Sequence, residues 1–226
     1  MKTIKSVIPF IGTLLTLITL SCNNSDKFQP PIIHEISDEF KSYASFDSAS
    51  FWVYQNDQNL LLDTVKIVKI ITDKRFHVDQ TSKPGFYYNA IEMFFNSSAI
   101  GFSKAELTAG SKYDETTTMS ENYRLYFENG RFLSIFTPKY PFGNTQLLGI
   151  NEGNYTNIMM HDTLFVNEKK YFDVYETSVK DYHDGNDTVF MKFYIAKNYG
   201  LVRMSKSSTS ITESWSLFNS SLSQTK

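Results

Sequence analysis

The chain is poor in the features that usually reveal a function. One cysteine, Cys22, occurs in 226 residues, so no disulfide can form within the chain and burial alone must stabilise it. The ten glycines are scattered singly and build no loop able to cradle a phosphate. Twenty-two basic residues nowhere gather into a Lys/Arg block, which argues against nucleic acid and anionic membrane surfaces as partners. Gly-x-Ser-x-Gly is absent, and none of His34, His77, His161 and His183 stands in His-x-x-x-His spacing. The usual signals of a nucleophilic serine and of a preformed zinc pair are therefore missing. No second long apolar run follows the first.

That first run sets the address. Met1 to Lys5 carries two positive charges, Val7 to Leu20 carries none, and Ser21 precedes Cys22. An apolar stretch this short behind lysines reads as a signal peptide over 1–21 rather than a membrane span. A lone thiol in an exported chain has no intramolecular partner, and lipidation would occupy it. The layout resembles the lipobox cut by the lipoprotein signal peptidase of Gram-negative bacteria. One position departs from the pattern: Thr19 stands three before the cysteine, where Leu or Val is commoner. The resemblance implies cleavage before Cys22, acyl chains on that residue and anchorage at the outer membrane on its periplasmic or surface face. Losing Lys2 and Lys5 leaves twenty basic residues against 24 acidic, a formal charge of −4.

Residues 22–32, polar and ending in two prolines, read as a tether. Ile33 to Tyr43 has Ile36, Phe40 and Tyr43 at helical spacing, which predicts one short helix. Thereafter the period is two. Tyr123, Leu125 and Phe127 alternate with Asn122, Arg124, Tyr126 and Glu128, and Asn129-Gly130 predicts a two-residue hairpin turn into Arg131–Thr137. Nineteen Phe, fourteen Tyr and two Trp suit strands and can fill a core. Strands are expected at about 51–55, 60–72, 86–96, 117–128, 131–137, 157–166, 170–179, 188–197, 201–208 and 210–218. No amphipathic helix separates them and no long period repeats, so 33–226 reads as one all-β domain. The expected architecture is a strongly curved antiparallel sheet, half-barrel or barrel, of nine to ten strands. Phe193-Tyr-Ile-Ala-Lys-Asn-Tyr-Gly-Leu-Val-Arg203 resembles a strand-turn-strand of the bacterial half-barrel lipoprotein carriers and acceptors. That resemblance implies a sheet curled around a short helix, with acyl chains held in the hollow.

The densest acidic stretch, Asp181 to Asp187, fails the EF-hand order, because Lys180 and Tyr182 would stand where carboxylates are needed. It reads as a hairpin loop. Phe94-Phe95 and Tyr126-Phe127 put rings on both faces of their strands, which calls for a covering layer or a hollow to line. Tyr126, Phe132, Tyr140 and Phe142 are the candidate ligand-binding residues, with the aromatic loop Pro138–Asn144 as a lip over a lipid-like small molecule. Asp47-Ser48-Ala49, like the Asp-Thr-apolar triplets at 63, 162 and 187, resembles a bacterial O-glycosylation signal, and Ser48 is the best situated. The expected role is a non-enzymatic envelope lipoprotein, without metal or cofactor, that binds an apolar or amphipathic ligand or serves as an interaction module. The rivals are a polymer hydrolase using loop carboxylates and a subunit docking through a sheet edge.

Overall fold

The structure, a computed structural model, describes residues 33–77, 85–112, 118–149, 153–184 and 187–224. Cys22, the signal segment and the tether lie outside the described residues. The described residues open with strand β1 (Ile33–His34) and helix α1 (Asp38–Ala44). Four strands follow: β2 (Phe51–Asn56), β3 (Leu62–His77), β4 (Phe86–Asn96) and β5 (Phe102–Thr108). Strands β6 (Ser111–Lys112) and β7 (Thr118–Met119) pair as a separate two-residue ribbon. Next come β8 (Asn122–Phe127), β9 (Phe132–Phe136), β10 (Thr145–Gly149) and β11 (Gly153–Val166). The last four are β12 (Lys169–Asp184), β13 (Asp187–Ala196), β14 (Gly200–Ser207) and β15 (Thr212–Ser221).

Thirteen strands join one sheet, ordered β10-β11-β12-β13-β14-β15-β2-β3-β4-β5-β8-β9, with β1 attached beside β4. Every ladder is antiparallel except β1 with β4. The sheet curls strongly, as a half-barrel. Its concave face is the core, because period-two patterning sends alternate side chains inward. In β2, Trp52 and Tyr54 are buried; in β13, Val189, Met191, Phe193 and Ile195 are. Among the described residues, no helix is long and apolar enough to cross a membrane.

Helix α1 stoppers one end of the curl. Ser37 caps it, its Oγ accepting from Phe40 N at 3.2 Å. The buried Glu121 carboxylate holds that cap by accepting from Ser37 N at 2.6 Å and Ser37 Oγ at 2.9 Å. Phe40 and Tyr43 then pack their rings 5.7 and 5.4 Å from Phe136. The helix is shorter than the spacing predicts. Ile33 and His34 instead extend alongside Tyr87 and Tyr88, and the capping serine fixes the start at Asp38.

The β9 edge meets β11 and β12, the strands next to the opposite edge strand β10, without a ladder. Thr137 N donates to Tyr155 Oη at 2.9 Å, Asn157 Nδ2 donates to Thr137 O at 2.9 Å, and Thr177 Oγ1 donates to Ile135 O at 2.6 Å. Side chains of β11 and β12 thus satisfy backbone groups at the outer edge of β9.

Nine to ten strands is an undercount. Each expected strand coincides with an observed one, but β1, β5, β6 and β10 are additional, and 117–128 is divided into β7 and β8. The Asn129-Gly130 turn also differs in type. Phe127 N donates to Arg131 O at 2.8 Å and Gly130 N donates to Phe127 O at 2.9 Å, which encloses three loop residues. Gly130 alone has positive φ, at 78°, so the loop is a turn followed by a left-handed glycine rather than a two-residue mirror turn. A Cβ there would meet nothing within 4 Å, so backbone strain is the only penalty. Gly130→Val is expected to cost roughly 1–2 kcal/mol in a urea titration. An unchanged midpoint would remove the left-handed requirement.

Candidate functional site

The site begins at Asp63, near the start of β3 and buried to 1% exposure. Its Oδ2 accepts from Ser97 Oγ at 2.7 Å and Ile100 N at 2.9 Å. Its Oδ1 accepts from Ser98 N at 2.9 Å and Ser98 Oγ at 3.0 Å. Burial pushes this carboxyl up, but the four donors outweigh it and hold the group below the ordinary aspartate range. The turn between β4 and β5 is thereby pinned in place. Glu128 N in the next hairpin donates to Gly101 O at 3.0 Å and extends the same wall.

Behind this wall lies a half-open cavity of about 280 Å³, near the lower end of small-molecule sites at ~300 Å³. It occupies the end of the curl opposite α1. Ile100, Phe127, Met191, Met204 and Trp215 give it an apolar lining, with Tyr182 beside them. Its charged lining consists of Glu128, Asp184, Lys206 and Glu213. Asp184 is bonded to Lys206 Nζ and lies 3.1 Å from Arg131 Nη1, which also donates to His183 O. Glu213 Oε1 accepts from Trp215 Nε1 at 2.6 Å and from Asn56 Nδ2 at 3.4 Å. A few polar groups around an apolar floor can orient an amphipathic molecule.

The expected ligand residues lie elsewhere, in two separate places. Tyr126 and Phe132 pair at 5.2 Å on the face opposite the core, where Lys104 Nζ sits 4.1 Å from the Tyr126 ring. The reason is phase: Tyr126 shares its face with Arg124, not with the buried Tyr123 and Leu125. Tyr140 is half-buried at the helix end, its ring 6.1 Å from Tyr155 and its carbonyl accepting from Asn157 Nδ2 at 2.7 Å. Phe142 stacks on Tyr175 at 5.8 Å and is 49% exposed. The loop 138–144 therefore closes the helix end, while the cavity opens at the other. Ser48 is exposed in the turn before β2.

Two charged groups on the outer face are satisfied internally. Arg75 reaches Glu106 at 2.9 Å and Glu92 at 3.0 Å, and Lys104 reaches Glu92 at 2.7 Å. Glu176 lies 2.9 Å from both Lys192 and His161; burial raises its carboxyl, and these partners bring it below the ordinary range. Among the described residues, no three His, Cys, Asp or Glu side chains converge as a metal site would require. Asp181 accepts from Asn154 Nδ2 at 3.0 Å, and the loop expected over Asp181–Asp187 is largely strand: Asp181 to Asp184 belong to β12 and Asp187 to β13, while residues 185–186 lie outside the described residues. The cavity residues Met191, Met204 and Trp215, like Asp63 that pins the wall, were legible only as inward strand positions, since no motif links them. Compared with known proteins, the chain matches no family model, no curated protein and no solved structure.

Proposed function

We propose that this protein is a non-enzymatic, lipid-anchored lipoprotein of the outer membrane. Acylated Cys22 holds it, and the cavity at the open end of its half-barrel binds an amphipathic small molecule. The observation that carries this reading is the cavity itself. Its methionines, Trp215 and Phe127 offer an adaptable apolar floor, and its charges are confined to a few carboxylates and one lysine. The volume suits a single short chain or ring system rather than a whole diacyl lipid. Two or more acyl chains on Cys22 are required for stable anchorage, each buried CH₂ contributing about 0.8 kcal/mol.

The test has two arms. Clickable fatty acid is expected to label the wild-type chain in its host and to be lost in Cys22→Ala; label that survives the substitution ends the anchoring claim. Native mass spectrometry of the protein purified from that host is expected to show a non-covalent adduct of small mass. A ligand-free spectrum under gentle ionisation, with no uptake of added amphiphiles, ends the binding claim.

A further inference from the structure

We infer that the cavity selects an amphipathic amine, with its cationic head on Glu213 and its apolar body against Trp215 and the methionines. This rests on the reading of the cavity as a ligand site and names the chemistry of the ligand. The argument is one of charge pairing. Lys206 stands directly across the ladder from Glu213, where cross-strand opposites ordinarily pair. Its ammonium turns instead to Asp184, which Arg131 also engages. One carboxylate thus occupies both cations at the mouth. Glu213 keeps two neutral donors, Trp215 Nε1 and Asn56 Nδ2, and among the described residues no cation lies within ion-pair distance of it. Glu128, a further carboxylate of the lining, likewise makes no ion pair among the described residues, so the free charge presented to a ligand is negative.

Both donors to Glu213 sit on one oxygen, Oε1, leaving Oε2 for a further donor. An ammonium supplies three N–H donors and a charge, and charge-assisted bonds are about twice as strong as neutral ones. The indole of Trp215 next to that carboxylate adds an aromatic face, to which cations are attracted. A carboxylate-headed ligand would meet the reverse situation. It would have to displace Asp184 from Lys206 or Arg131 and would face Glu213 and Glu128 at close range.

The experiment uses the full mature chain carrying Cys22→Ser, so that no acyl chain competes for the cavity. Octylamine, octanoate and octanol are titrated by calorimetry at pH 7 and followed by tryptophan emission, since Trp215 lines the cavity. Octylamine is expected to bind at least tenfold more tightly than octanoate. Glu213→Gln, which keeps the Oε1 acceptor for Trp215, should remove about tenfold of octylamine affinity and leave octanol unchanged. Asp184→Asn frees Lys206 and Arg131 and should shift preference towards octanoate, a second handle if Glu213→Gln folds poorly. Equal or tighter binding of octanoate by the wild type overturns the amine assignment while leaving the ligand site standing. Binding of octanol with no preference between the two charged probes does the same. If none of the three probes binds, the ligand-site reading itself fails.

Discussion

Phe136→Ala is expected to lower unfolding free energy by about 3–5 kcal/mol, the usual range for truncating a fully buried aromatic. Phe136 has no exposed surface and is the ring on which the stopper converges. Its centroid lies 5.7 Å from Phe40, 5.4 Å from Tyr43 and 4.8 Å from Tyr175, so the helix, the β9 edge and β12 share one contact. Deleting it opens a void between three elements that cannot close without moving the helix. The helix has only seven residues and is too short to persist without tertiary packing. Urea unfolding with two probes checks this: tyrosine fluorescence near the stopper and far-ultraviolet dichroism for the sheet. A loss under ~1 kcal/mol would mean that the aromatic cluster is not what holds the helix.

Asp63→Asn is expected to cost roughly 2–4 kcal/mol and to loosen the cavity wall. Each carboxylate oxygen of Asp63 serves one backbone N–H and one hydroxyl. Whichever oxygen becomes an amide NH₂ leaves either Ile100 N or Ser98 N facing a donor. The hydroxyls can rotate away; the backbone groups cannot. The pH dependence carries the same signature. Asp63 is held below its ordinary value in the fold, so its contribution is complete above the unfolded value of ~3.9 and is lost as pH falls through the lower native value. The stability gap between wild type and Asp63→Asn should be constant from pH 7 to about 5 and shrink below ~3.9. A gap that is flat down to pH 2 would show that the charged form is not what the turn recognises.

Much of the fold was legible because its signals are local. Trp52 and Tyr54, or Val189 through Ile195, alternate in phase with burial, and the ordinary strand pattern predicts them. Strand β5 was not legible. Lys104, Ala105 and Glu106 are poor strand formers by composition, and Glu106 is buried only because Arg75 of β3 and Arg124 of β8 converge on it beside Lys104 of its own strand. No linear window contains that information. The site was less legible still. Ring content suggested Tyr126 and Phe132, yet their own alternation with Tyr123 and Leu125 puts them on the outer face. Trp215, Met204 and Met191 are brought together by register across two ladders, and Asp63 meets its partners in a turn more than thirty residues away. Sequence spacing cannot encode such a meeting; only the pairing order can.

That pairing order has a consequence for how the molecule comes into being. Strands β2 to β5 with β8 and β9 form one meander and β10 to β15 another, and the two are sewn together by a single ladder, β2 with β15. The joint is at the middle of the sheet, yet its halves come from opposite ends of the chain, Trp215 opposite Asn56. Ser223 completes it, accepting from Asp47 N at 2.8 Å and donating to Ser50 Oγ at 3.0 Å. Closing so long a loop is slow, and non-local ladders form late. A chain delivered N-terminus first therefore carries β2 with one bare edge until Thr212–Ser221 emerges. During that interval both meanders are open to wrong partners, as unpaired edges always are. Strand β15 acts as the clasp, and the two meanders become one sheet only when it reaches β2.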